Sequence, residues 1–402
     1  MQQNQIAIVP IDQLLPGMFV SRVTKQSGQL KVKSQGLIKR PELIAMLKKK
    51  GILELEVDYS KSNLEEIAKH QPEQTQETES VADKAPEKSL SDSLNQSQTL
   101  HDQAKQVHCK LLDKVRNGEQ TNIEEIRKVS SEIIDSIFEN PNALSCVSLI
   151  KDAPDYIWEH SVNSAIYMGV FARHLGFDKE LTEDLCLGGF LMDIGMATIP
   201  EELLQKGDKF HAEDQEMIKM HVDFGVELVS QEENVSDVVL SVIQDHHERL
   251  DGSGYPEGKK GDQINTYGRM AAIIDSYDAM TSDRPYRKGY TPTAALKKLL
   301  SDTSGKYDQS LVQQFIRCIG VHPVGSLVKL KSGKLGIIVK ANKDEPIKPL
   351  VMCFYSVTSG AHTELKRVDL AKVADEIECT VRPNEFKINL TKFFRDIFLG
   401  AI

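Results

Sequence analysis

HHERLDGSGYPEG, residues 246–258, carries the strongest signal in this sequence. It closes an apolar run, VVLSVIQ at 238–244, with the composition of a buried helix. Neighbouring side chains on a helix lie about 100° apart, so His246 and His247 can both lean toward one ion. Asp251-Gly252-Ser253-Gly254-Tyr255-Pro256 then reads as a tight loop whose glycines supply the backbone freedom. A Gly-Ser-Gly turn alone is an ordinary surface feature. Joined to His-His-Glu-Arg, and followed at 275–289 by DSYDAMTSDRPYRKG, it points to chemistry.

Residues of the same types sit on apolar helical stretches to either side. His160 shares its segment with Ile157, Ala165 and Ile166, and that segment ends near Gly176. Asp193 closes LCLGGFLMDIG (185–195), His221 lies beside Met217, Ile218 and Val222, and Asp275 stands inside MAAIIDSYDAM (270–280). A lone histidine on a half-apolar helix is most often a hydrogen-bonded core residue. A carboxylate flanked by Ala272, Ile273 and Ile274 is different, because burying it is expensive unless it is paired or binds a metal. Imidazoles and carboxylates from separate helices make a mixed nitrogen and oxygen donor set, suited to iron, manganese or a similar divalent ion.

These residues, in this order, resemble the HD-GYP family, a branch of the HD superfamily of metal-dependent phosphohydrolases. The resemblance covers the stretch from about Asp155 to Ile319. It implies that His160, Asp193, His221, His246, His247 and Asp275 are metal ligands, with Asp193 bridging two ions at the catalytic centre. One ion is then expected on Asp193, His221, His246 and His247, and the other on His160, Asp193, Asp275 and the position of Met192. Gly254, Tyr255 and Pro256 match the signature loop that faces the substrate. Arg284 and Arg287 match basic positions on the substrate's phosphate or base, where a guanidinium donates paired hydrogen bonds. The implied activity is hydrolysis of cyclic di-GMP to pGpG or GMP, with 3',3'-cyclic GMP-AMP as an alternative substrate, since nothing in the sequence reads the base. Diguanylate cyclase domains are implied partners of the Gly-Tyr-Pro loop.

Two positions depart from the family. Its His-Asp-x-Gly-Lys stands here as Met192-Asp193-Ile194-Gly195-Met196. A thioether is a soft, weak ligand for a hard or borderline ion, so one site should be complete and the other weakened, giving one or two ions per chain. The missing lysine removes a charge-assisted contact to phosphate worth about 1.5–3 kcal/mol. Core packing is an equally good account of the Met192 and Met196 side chains. Tyr156 stands where some members place an acidic residue one turn before the first histidine, which argues against a third ion. Two other readings stay open: a degenerate member that binds a ligand or partner without hydrolysis, and a nucleotidase of the wider superfamily. The Gly-Tyr-Pro loop counts against the second.

The 402 residues exceed one ordinary core. The expected architecture is mainly α, an HD-type helical bundle between two small modules. Residues 1–61 read as a small α+β domain, with a helix from Pro41 to Lys50 stopped by Gly51. In it Leu53, Leu55 and Val57 alternate with Glu54, Glu56 and Asp58 as a half-buried strand. Residues 62–100 are polar and poor in large apolar side chains, which predicts a flexible linker. Residues 101–140 read as a helical segment with Val107, Leu111, Leu112 and Val115 on one face, set to pack on its own chain or to form a homodimer contact. The metal-binding domain spans 141–320. Residues 321–402 read as a β-rich appendage with a hairpin about Ser332-Gly333, a strand at 349–357 and a terminal helix at about 389–398. A net charge of −10 argues against coating DNA but leaves room for a small anionic ligand. No apolar run reaches the roughly 18–20 residues of a membrane span. The N-terminus lacks a signal-peptide pattern, and the six cysteines form no Cys-x-x-Cys pair, so a cytoplasmic protein with reduced thiols is expected.

Overall fold

The computed structural model describes residues 6–11, 14, 16–26, 35–58, 61–62, 90–140, 144, 148, 156–204, 211–283, 288–302, 304–342, 345–386 and 388. The chain divides into two compact units, Met1–Ala85 and Pro86–Ile402.

The first unit is a four-stranded antiparallel sheet in the order β1-β4-β2-β3, built from β1 (Ile6–Pro10), β2 (Phe19–Gln26), β3 (Gly36–Leu37) and β4 (Ile52–Asp58). Helix α1 (Pro41–Lys49) opens on proline and ends on Lys48 and Lys49, which suit the helix dipole. Gly51 follows at φ 74°, a conformation that favours glycine. Val20, Leu47, Ile52, Leu55 and Val57 form the core. The expected alternation along β4 fails at its start, where Ile52 is buried and Leu53 is 44% exposed. The pairing of β2 with β4 slips between Val20 and Arg22, and again around Lys25. Such bulges break the period of two and re-aim side chains.

The second unit opens with α2 (Leu90–Arg116) and α3 (Glu124–Glu139), separated by a turn in which Gly118 adopts φ 66°. Helix α2 begins inside the stretch read as a linker. Among its described side chains, the buried ones are Ser97, His101, Ala104, His108, Leu111, Leu112 and Val115. That spacing of three and four is helical, but its first half is small or polar, so composition concealed it. Both helices pack on their own chain: Leu111, Leu112 and Val115 join Ile126, Ile133, Ile134, Val162, Ile166 and Phe190 in one apolar cluster.

The helical core continues with α4 (Tyr156–His174), α5 (Lys179–Leu191), a 3-10 turn (Ile194–Thr198), α6 (Glu201–Leu204), α7 (Ala212–Lys219) and α8 (His221–Ser230). It ends with α9 (Asp237–Asp245), α10 (Thr266–Thr281), α11 (Pro292–Leu300) and α12 (Gln309–Ile319). Asp178, Ser236, Asn265 and Asp308 cap α5, α9, α10 and α12 by accepting backbone N–H groups of the first turn. A second apolar cluster holds Tyr167, Phe171, Tyr277 and Phe315 edge to face, with ring centroids 5.3–5.4 Å apart.

The C-terminal part is a five-stranded antiparallel sheet in the order β8-β7-β6-β5-β9. Its strands are β5 (Leu327–Leu330), β6 (Lys334–Lys340), β7 (Leu350–Ser356), β8 (Ala361–Asp369) and β9 (Ile377–Thr380). The expected hairpin joins β5 to β6. The sheet has its own core of Val328, Leu330, Ile337, Ile338, Val351 and Phe354. The terminal helix expected at 389–398 lies outside the described residues. The molecule is thus mainly helical, with a small antiparallel sheet toward each end of the sequence. Among the described residues no helix is long and apolar enough to cross a membrane.

Because Leu112 is 2% exposed within the first cluster, Leu112→Ala should destabilise the helical core by about 2–5 kcal/mol, read from urea unfolding. A change below about 1 kcal/mol would mean that α2 is not part of that core.

Candidate metal centre

Asp193 stands just past the end of α5, at the start of the 3-10 turn. The turn lies against the first residues of α8, and Gly195 makes this approach possible. A Cβ at that position would overlap the carbonyl oxygen of His221 and come within 2.7 Å of the Gly225 nitrogen. The helical stretch about His221 is broken at Met220, so His221 opens α8 instead of lying mid-helix. His246 caps the end of α9, and His247 follows it.

Hydrogen bonds fix the tautomers of two of these rings. Nδ1 of His221 lies 2.6 Å from the carbonyl oxygen of Ile218, and Nδ1 of His246 lies 2.7 Å from that of Ile243. A carbonyl only accepts, so each Nδ1 carries the proton and donates, leaving the Nε2 lone pair of the neutral ring free. The two Nε2 atoms are 3.3 Å apart. Asp193 Oδ1 sits 3.3 Å from one and 3.7 Å from the other. Ligand atoms of Asp193, His221, His246 and His247 all fall within 4.8 Å of one another. Lone pairs pointed at a common centre repel unless a cation or a proton lies between them, and this donor set fits a divalent ion.

The electrostatics of these groups differ. Burial pushes the Asp193 carboxyl upward, but the neighbouring imidazoles of His221, His246 and His160 hold it well below the ordinary range. Burial alone would lower the pKa of His221, and the Asp193 carboxylate reverses that. Burial, helped by His246, holds His247 well below the usual imidazole value, which is the neutral form a metal needs.

A second half adjoins the first. Nε2 of His160 lies 3.4 Å from Asp193 Oδ2 and 3.2 Å from Asp275 Oδ1. Nδ1 of His247 lies 3.4 Å from Asp275 Oδ2. The structure therefore brings together His160, Asp193, His221, His246, His247 and Asp275. Met192 is fully buried in the apolar cluster with Leu185, Val242 and Met270, so core packing accounts for its side chain. Met196, on the 3-10 turn, is half-buried.

The loop after His247 is held from its root. Glu248, 1% exposed, accepts backbone N–H groups of Glu257 and Gly258 on one oxygen and of Lys259 on the other, at 2.8–3.0 Å. Gly254 presses so close to the backbone of Glu248 and Arg249 that a Cβ would overlap it. The Tyr255–Pro256 peptide is cis. The Tyr255 ring stacks on His247 at 4.6 Å, with Lys219 Nζ 5.7 Å from the same ring. Burial pushes the Tyr255 hydroxyl up, with help from Asp275 and Asp193, so it stays a donor. Arg284 and Arg287 lie outside the described residues.

Sequence reasoning missed the outer residues of this centre. Asp278 is fully buried against His160, Asn163 donates to Asp278, and His108 Nε2 lies 3.1 Å from the Phe190 carbonyl in the last turn of α5. Asp278 had a visible signal: it is a second carboxylate one turn along the same apolar helix as Asp275, and the cost of burying it is the same. For Glu248 and His108 the sequence held no comparable sign.

Residues 144–311 match the model of an HD domain, and residues 6–126 match that of a domain of unknown function, DUF3391. A cyclic di-GMP phosphodiesterase of Pseudomonas aeruginosa is 30% identical over 375 residues, 90% of this chain and 89% of that protein. The chain belongs to the HD-GYP family. A 3'3'-cGAMP-specific phosphodiesterase of Vibrio cholerae is 29% identical over 155 residues, 38% of this chain and 30% of that protein. A solved HDG"Y"P protein of Bdellovibrio bacteriovorus covers 77% of this chain and 98% of its own at 20% identity, with a TM-score of 0.47. The HD-domain match of this HD-GYP chain contains every residue of the cluster. The DUF3391 match instead crosses the boundary between the compact units at residue 85 and takes in α2, whose side chains pack in the helical core.

Gly195→Ala should separate the 3-10 turn from α8 and weaken ion binding by about 10- to 100-fold in a chelator-competition titration. Unchanged affinity would show that the close approach is not needed to hold Asp193 against His221.

Proposed function

We propose that this HD-GYP chain is a metal-dependent phosphodiesterase that hydrolyses a cyclic dinucleotide, cyclic di-GMP to pGpG or GMP, with 3',3'-cyclic GMP-AMP as the alternative substrate. The observation that carries the reading is the convergence of the His221, His246 and Asp193 lone pairs, beside His160, His247 and Asp275 and under the Tyr255 ring. The names of the relatives support the substrate class.

Asp193, His221, His246 and His247 hold one divalent ion, iron or manganese by donor type. His160, Asp193 and Asp275 hold a second more weakly, because Met192 is given over to packing. Bound ions supply Lewis acidity toward a phosphoryl oxygen and activate water at neutral pH. The protein's part is to orient those ligands, to place Gly254, Tyr255 and Pro256 at the rim, and to present Arg284 and Arg287 to the phosphates. Water adds to phosphorus, a ribose 3'-oxygen leaves and takes a proton, and the ring opens to the linear dinucleotide. Repetition of the same step yields mononucleotides. The free thiols of Cys186, Cys318, Cys353 and Cys379 support a cytoplasmic setting for the reaction.

Metal-analysed protein incubated with iron or manganese should convert cyclic di-GMP or 3',3'-cyclic GMP-AMP to linear products, followed by chromatography. A metal-containing sample that turns over neither would overturn the reading. Met192→His with Met196→Lys restores an imidazole and a phosphate-facing cation, and should raise kcat about 10- to 100-fold. If the wild type is silent and this variant cleaves, the chain acts instead as a ligand- or partner-binding adaptor.

A further inference from the structure

His160 is held from both sides of its ring. Nε2 faces Asp193 and Asp275, while Nδ1 lies 2.8 Å from Oδ2 of Asp278. Asp278 is fully buried, and its other oxygen accepts a hydrogen bond from Asn163 Nδ2 at 3.3 Å. His160 and Asn163 are one turn apart on α4, as Asp275 and Asp278 are on α10. The two helices thus meet through two polar rungs, His160 with Asp275 and Asn163 with Asp278, and the His160–Asp278 bond crosses between them. His101 of α2, 6% exposed, adds its ring beside Asn163.

A carboxylate this deep is expensive to keep unless its bonds do something that a neutral pair would not. Because it only accepts, it forces the proton onto Nδ1 of His160 and turns the Nε2 lone pair toward Asp193 and Asp275. It also makes that Nε2 a stronger donor to a cation. Without Asp278, the nearest acceptors would be Asp275 and Asp193, and the proton would move to Nε2 and close the site.

We propose that Asp278 is the positioning residue of the weaker half of the metal centre, fixing His160 as the Nδ1–H tautomer so that three ligands can hold an ion where the family uses four. This rests on the metal reading given above. It assigns Asp278 no contact with the ion or the substrate.

The test compares wild type, Asp278→Asn and Asp278→Ala in the full chain. Nitrogen-15 spectra of histidine-labelled, metal-free protein read the tautomer of His160, whose signal is identified by its loss in His160→Gln. Titration with manganese, followed by electron paramagnetic resonance, reads each ion separately. Both variants should lose about 10- to 100-fold in affinity for the second ion and keep the first within about twofold. Asp278→Ala should also move the His160 proton to Nε2. Both ions bound as in wild type, with the tautomer unchanged, would overturn the inference and leave the metal reading intact. Loss of both ions together would mark Asp278 as a residue of the fold and also overturn it. Wild-type protein that binds no ion would overturn the metal reading itself. Should Asp278→Ala not fold, the near-isosteric Asp278→Asn decides by its second-ion affinity.

Discussion

The arrangement of the helical core follows from one constraint: several unprotonated donors must share a space too small for them to tolerate one another. The carbonyls of Ile218 and Ile243 set the direction of two imidazole lone pairs, and a carboxylate completes the convergence. Each of these groups reaches the centre from a different element. Small residues allow it, above all Gly195, which seats one backbone on another. The apolar clusters hold the helices that carry the donors. Remove the electrostatic tension and little else explains why buried histidines and aspartates occupy the middle of an otherwise hydrophobic core.

Much of this was legible in the chain. His246-His247 with the glycine loop, and Asp275 within an apolar helix, advertise themselves because polar groups in such settings need a reason. The end of the His160 helix, the β5–β6 hairpin and the stop at Gly51 follow from local rules that tertiary packing leaves intact. What could not be read depended on direction. The break at Met220 falls in a stretch whose side chains look continuously helical. The buried stripe of α2 is written in Ser97, His101 and His108, residues that composition assigns to solvent. The bulge opposite β4 is a property of pairing, invisible along one strand. Met192 looked like a failed ligand in the sequence, and its apolar neighbours give its side chain a different occupation.

Helix α2 changes how the N-terminal region is understood. Family matching places it with the residues before it, whereas its buried face belongs with the residues after it. His108 reaches the carbonyl of Phe190 in the last turn of α5, three residues before Asp193. Burial lowers the pKa of His108 to about 4, so this contact is made by a neutral ring at ordinary pH. A segment outside the HD-domain match therefore supports the backbone from which Asp193 projects.

Glu248 has a mechanical implication. Its neighbour in sequence is a candidate ligand, and its carboxylate grips the far end of the Gly-Tyr-Pro loop through three backbone amides. The floor of the site and its rim are in effect one casting. A movement at the end of α9 would carry the tyrosine with it, so whatever is held over that ring would register a change in the coordination beneath.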